Sequence, residues 1–242
     1  MSNTKVIVVM GAGDALGGAI ARRFAREGYT TVICRRNGDK LEPLAEQIRA
    51  LGGQVHPRGV DGRQEDQVQE LFRWCEAEVG PVTVAVHNIG ANVYFPILDT
   101  TARVYRKVWE LAAFSAFLFG REAARVMVPR KQGTILFTGA TGSLRGASGF
   151  SAFAGGMHAK RALAQSMARE LMPHNLHVAH VVIDGPIDTA FTRENFPKLY
   201  ETRPPDGVLL PDQIAETYWM LHQQGRSAWT HELDVRPWVE PW

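Results

Sequence analysis

Short β-branched apolar runs alternate with segments of helical period along almost the whole of this chain, and that alternation leaves few architectures open. VIVVM (6–10) leads into a helix-period segment ending near Gly28, TTVIC (30–34) into LEPLAEQIRAL (41–51), and a weaker run, QVHPRGV (54–60), into EDQVQELFRWCEAEV (65–79). VTVAVHN (82–88) precedes a long helical segment from about Ala102 to Val128; GTILFTG (133–139) precedes the amphipathic stretch FSAFAGGMHAKRALAQSMAREL (150–171), which LHVAHVVI (176–183) follows. Apolar runs without internal polar alternation are strands buried on both faces, which calls for a parallel sheet covered by helices on each side. Right-handed crossovers then give an α/β fold with a doubly wound parallel sheet, a Rossmann-like three-layer α/β/α arrangement.

With 242 residues, 45% hydrophobic and 21% charged, the chain suits a single domain over residues 1–242. The period lapses from Gly185 to Pro211, a connection long enough to read as a substrate or lid loop at about 185–211. A helix from Pro211 to about Gly225, a strand in THELDVRP and a Trp-rich tail close the chain. A net charge of +2 with no basic stripe excludes nucleic acid and leaves a small-molecule substrate as the expected partner. The apolar run from Leu111 to Gly120 is too short to span a bilayer, and the amino terminus lacks a signal-like apolar region, so no membrane is expected. Cys34 and Cys75 are only two thiols, which suits a reducing cytoplasm. No metal site is expected, because His177 and His180 point to opposite faces of one strand. Trp229, Trp238 and Trp242 read as packing against a neighbouring subunit.

The functional signal starts at VIVVMGAGDALGGAIARRFAREG. Gly11, Gly13, Leu16 and Gly17, between the first strand and the first helix, are the expected cofactor contacts; glycines there let the backbone approach a pyrophosphate whose charge the helix N–H groups meet. The end of the second strand reads VICRRNGDK. Arg35 and Arg36 stand where an NAD-preferring fold places a carboxylate for the ribose 2′-hydroxyl, so NADP(H) is expected ahead of NAD(H).

On these residues the chain resembles the short-chain dehydrogenase/reductase family along nearly its whole length. The family's T-G-x-x-x-G-x-G is matched by Gly11 and Gly17, with Met10 for the Thr and Ala15 for the middle Gly. The resemblance implies that Val60 and Asp61 meet the adenine, Asn88 stabilises the central sheet and Gly90 passes the adenosine ribose. In DGPIDT (184–189) it implies cofactor contacts at Gly185 and Thr189, with Asp184 in place of the family's Pro. A homodimer or homotetramer built on the two long helices is implied in the same way.

The family's proton chemistry uses an Asn, a Ser and a Tyr followed four residues later by a Lys. Counting from Lys160 puts Gly156 at the Tyr position and Ser143 thirteen residues earlier, but the stretch SMARELMPHNLHV aligns without a gap in another register. That register places Phe153 at Tyr and Met157 at Lys, while the likeness of GTILFTGAT to the family's Ser-bearing strand puts Ala140 at Ser and that of WELAAFSAF to its Asn-bearing segment puts Ala112 (or Ala113) at Asn. General-acid catalysis typically contributes about 10²–10⁴-fold in rate, so its side chains would have to stand elsewhere. The loops at the strand ends offer Asn92, Tyr94, Thr138, Thr141, Ser143 and Arg145, of which Tyr94 and Ser143 are the catalytic candidates. Lys160 and Arg161 read as surface or interface cations, and His158 as packed or solvated.

The expected function is an NADP(H)-binding oxidoreductase acting on a carbonyl or alcohol with a displaced or absent proton donor. A catalytically silent NADP(H) sensor or scaffold is the first alternative, and a non-redox lyase, isomerase or dehalogenase on the same scaffold the second.

Overall fold

All five residues of β1 (Val6–Met10) are fully buried, which the unbroken apolar run required. Ile7 and Val9 face one layer and Val6, Val8 and Met10 the other. The computed structural model describes residues 4–241. Around β1 it builds a parallel sheet with β2 (Thr30–Arg35), β3 (Val55–Gly59), β4 (Val82–His87), β5 (Gly133–Thr138), β6 (Leu176–Ile183) and β7 (Glu232–Val235). The spatial order is β3-β2-β1-β4-β5-β6-β7, so the winding reverses between β1 and β4. Such a switch point leaves a crevice above the carboxyl ends of the strands.

Helices α1 (Leu16–Arg26) and α2 (Glu42–Ala50) cover one face, and α3 (Glu65–Trp74) the other. The long segment expected from Ala102 to Val128 is α4 (Ala102–Trp109) and α5 (Ser115–Met127), joined by a π-helical turn at Glu110–Phe114. Wide turns of this kind recur where a helix must present one residue out of its regular step. Then come α6 (Ser151–Leu171), α7 (Ala190–Asn195), α8 (Pro197–Thr202) and α9 (Pro211–Gln223).

The segment expected as an irregular loop carries α7 and α8, each of six residues. Thr189 caps α7 by accepting from the Thr192 N–H, Pro197 opens α8, and a bridge between Ile187 and Leu209 pins the two ends together. Trp229 is half-buried and one face of it stacks on His177 of the same chain, with ring centroids 5.0 Å apart and planes 2° from parallel. Trp238 is 72% exposed, while Trp242 lies outside the described residues. Cys34 and Cys75 are free and buried, and burial pushes the Cys75 thiol up to about 12. Among the described residues no helix is long and apolar enough to cross a membrane.

An aromatic seam joins α1 to α9. Phe24 meets Tyr29 and Trp219 edge-on at 5.4 and 5.2 Å, and Tyr29 bonds His222, whose second ring nitrogen reaches Thr134 on β5. Phe24→Ala would leave a void that the surrounding rings cannot fill. It is expected to lower the unfolding free energy by about 3–5 kcal/mol, read by urea denaturation.

Candidate dinucleotide and substrate site

The loop that leaves β1 is shaped by what its glycines exclude. Gly11 turns with φ +90°, and the N–H groups of Gly11 and Ala12 both donate to the Cys34 carbonyl, at 2.8 and 2.9 Å, tying the turn to β2. A Cβ at Gly17 would stand 2.3 Å from the Gly11 carbonyl oxygen, so α1 packs onto the turn only through glycine. A Cβ at Gly13 or at Gly90 would meet nothing within 4 Å. Their backbones therefore border open space.

Helix α1 starts at Leu16 with no side-chain cap and no acidic residue in its first turn, which leaves its leading N–H groups free to meet an anion. Asn88 donates from Nδ2 to the Gly11 carbonyl at 3.1 Å, fastening the end of β4 to this loop. At the end of β2, Arg35 donates to the Lys40 carbonyl at 3.3 Å, and Arg36 is exposed. Both Asp61 carboxylate oxygens are held by Arg63, at 2.6 and 2.9 Å. Those bonds keep Asp61 below the usual carboxylate range.

These residues fit a phosphorylated dinucleotide. A bare backbone and an uncapped helix start suit the pyrophosphate, and the two guanidiniums beyond β2 suit a further phosphate.

The floor beyond β4 and β5 is apolar. Ala112, from the π-helical turn, packs with Phe153 and Met157 of α6, and Ala140 and Phe150 lie against them. The four positions read from these segments meet in space, and of the two alanines considered Ala112 is the one that joins them. The rival position, Gly156, is a helix contact: a Cβ there would stand 3.0 Å from that of Ala112.

Around this floor the polar groups are already engaged. Thr138 pairs with the Tyr218 hydroxyl at 2.6 Å, Thr141 donates to Asp184 at 2.6 Å, and Arg145 forks onto Asp184 at 2.9 and 3.1 Å. Ser143 is fully buried and its hydroxyl accepts from the Ala140 N–H, so the structure does not bring it to the crevice beside Tyr94. Tyr94 is 61% exposed at the mouth, its ring edge-on to Phe150 at 5.3 Å, and Phe150 in turn meets Phe153. Asn92 is exposed on the same loop. Gly185 (φ +148°) abuts Pro237, and the Thr189 hydroxyl is taken up in capping α7.

Two features were not read correctly from the residues. Lys160, expected at a surface, is fully buried and donates to two backbone carbonyls, Ile89 at 2.6 Å and Thr138 at 3.1 Å; Arg161 beside it pairs with Glu232. Asp184, in the position of the family's Pro, is fully buried and gathers Thr141, Arg145 and Arg236. Burial pushes its carboxyl upward, but the Thr141 and Arg145 hydrogen bonds and the Arg236 charge outweigh it and leave the carboxyl below its ordinary value. The Asp in place of Pro was the available signal, and it named no partner.

Comparison with known proteins agrees with this geometry. The family profile described as short chain dehydrogenase matches residues 5–199. A short-chain dehydrogenase/reductase of Armillaria gallica is 29% identical over 212 residues, which are 86% of this chain and 80% of that protein. A solved short-chain dehydrogenase from Rhodopseudomonas palustris has 47% identity and a TM-score of 0.84, covering 98% of this chain and 100% of its own. A metagenomic short-chain oxidoreductase solved in complex with NADP superimposes with a TM-score of 0.83, covering 97% of each chain; at 23% identity it speaks for the fold alone.

Gly17→Ala and Gly13→Ala should separate in a thermal melt. The first forces backbone apart and lowers the melting temperature by several degrees, while the second leaves it within about one degree. Asp184→Ala should lose about 2 kcal/mol at neutral pH. Because the folded pKa lies below the ordinary 3.8, the wild-type advantage is present above that value and disappears as pH falls through the folded pKa. Urea midpoints of both proteins across acidic pH check the sign.

Proposed function

The chain belongs to the short-chain dehydrogenase family, and on that footing we propose that it is an NADP(H)-dependent oxidoreductase acting on a carbonyl or alcohol substrate. The observation that carries this reading is the bare, uncapped backbone at Gly11–Leu16 with Arg35 and Arg36 at the end of the neighbouring strand. When bound, NADP(H) supplies the hydride exchange. The N–H groups of the loop and of the first turn of α1 would hold the pyrophosphate, and Arg35 and Arg36 the 2′-phosphate. The open backbone at Gly90 would leave room for the cofactor, and Gly185 and Thr189, which follow β6, would contact it from that side.

Ala112, Ala140, Phe153 and Met157 form a wall that excludes water and carries no exchangeable proton. In this proposal the proton comes from the mouth instead. Tyr94 makes no hydrogen bond within the described residues, so its phenol is free to serve a substrate lying against Phe150. Ser143 contributes by holding the loop after β5 in shape. The apolar wall also favours a second reading, a silent NADP(H)-binding sensor or scaffold.

Following the loss of reduced-nicotinamide absorbance against ketones, aldehydes and quinones distinguishes the two readings. The enzyme reading expects turnover with at least one class, and Tyr94→Phe is expected to lower kcat by about tenfold or more. An unchanged rate in that variant removes Tyr94 from the chemistry. Tight cofactor binding with no turnover across the whole panel favours the sensor.

A further inference from the structure

Lys160 is fully buried, yet among the described residues it forms no ion pair. An ammonium group in that position is costly, because burial without a counter-charge disfavours the charged form. Its helical neighbours Met157 and Ala164 are core residues, so an aliphatic side chain would suit this face of α6 with less penalty. What Lys160 does instead is specific. The parallel ladder between β4 and β5 ends at the pair His87 and Phe137. Just past that point the two chains are no longer bonded to one another, and the Lys160 ammonium bonds both: the Ile89 carbonyl on one side and the Thr138 carbonyl on the other. Gly90, with its open flank, follows Ile89, and Ala140 of the apolar floor lies two residues past Thr138.

We propose that Lys160 is a positioning residue that clamps the parted ends of β4 and β5 at one separation, so that the half of the dinucleotide lying beyond the switch point meets preformed walls. The inference rests on the NADP(H) reading above. Arg35 on β2 and the clamp between β4 and β5 lie on opposite sides of the β1–β4 switch, so the clamp is assigned to the nicotinamide half, in place of the adenosine-ribose contact that the resemblance implies at Gly90, and the 2′-phosphate contacts lie outside its reach.

Protonation should show in binding, since burial pulls Lys160 down to about 7. The groups that face it do not titrate there. His87 on β4 is pushed well below its ordinary value by burial and by Lys160 itself, and His180 on β6 is lowered by burial to about 4. Tyr218, bonded to Thr138, is driven upward by burial, and Arg161 and Glu232 hold each other charged.

The test compares NADPH with 2′,5′-ADP, which lacks the nicotinamide half, on wild type and Lys160→Met, together with a thermal melt. The expected result is a folded variant whose 2′,5′-ADP Kd stays within about twofold while its NADPH Kd rises about tenfold or more, matching the loss of a charge-assisted contact. Wild-type NADPH affinity should also fall between about pH 7 and 9, and 2′,5′-ADP affinity should not. Unchanged NADPH binding by Lys160→Met overturns the inference, as does parallel loss of both ligands, which would make the lysine a support of the sheet alone. If Lys160→Met does not fold, Lys160→Gln, which retains an amide donor without charge, carries the same comparison, and a flat wild-type pH profile overturns the proposal without any variant. Failure of wild type to bind either ligand would instead remove the cofactor reading on which the inference stands.

Discussion

A strand buried on both faces and bonded on both edges is the constraint from which the rest of this fold follows. β1 cannot reach water anywhere along its length, so its backbone must be paired by β2 on one side and β4 on the other. Both neighbours are parallel to it, which forces helical crossovers, and the two crossovers lie on opposite faces. The chain leaving β1 therefore emerges at the one place where no crossover covers the sheet. Gly11 turns there, Gly17 lets α1 pack close, and Asn88 ties the turn to β4.

The crevice created this way has two chemically different halves. On the β2 side it offers backbone N–H groups and guanidiniums, groups that recognise phosphate. On the β5 side it offers methyl, thioether and phenyl groups, while the hydroxyls and the carboxylate nearby are spent on one another. Such a division can bind and orient a dinucleotide strongly while lending little to proton transfer. The proton donor proposed for it, Tyr94, stands exposed at the rim.

Most of the framework was legible in the residues because it rests on long, strongly patterned segments. VIVVM and LHVAHVVI are apolar for more residues than a half-exposed strand permits, and the glycine spacing after the first of them names the turn. Three short likenesses, in SMARELMPHNLHV, GTILFTGAT and WELAAFSAF, picked out Phe153, Met157, Ala140 and Ala112, which the fold gathers at one spot. Other features depend on partners remote in sequence. Six-residue helices such as α7 and α8 show less than two full turns of period, so they read as loop. Lys160 read as a surface cation because nothing local marks two strand-end carbonyls waiting above it. The stack of Trp229 on His177 was hidden in the same way, because the two lie more than fifty residues apart.

The central claim is that the β1 loop and the arginine pair form an NADP(H) site, and a side-by-side titration of NADPH and NADH followed by nicotinamide fluorescence tests it most directly. The account predicts saturable binding of NADPH at least about tenfold tighter than NADH, the margin that one charge-assisted phosphate contact supplies. Equal affinities, a preference for NADH, or no binding of either would contradict it.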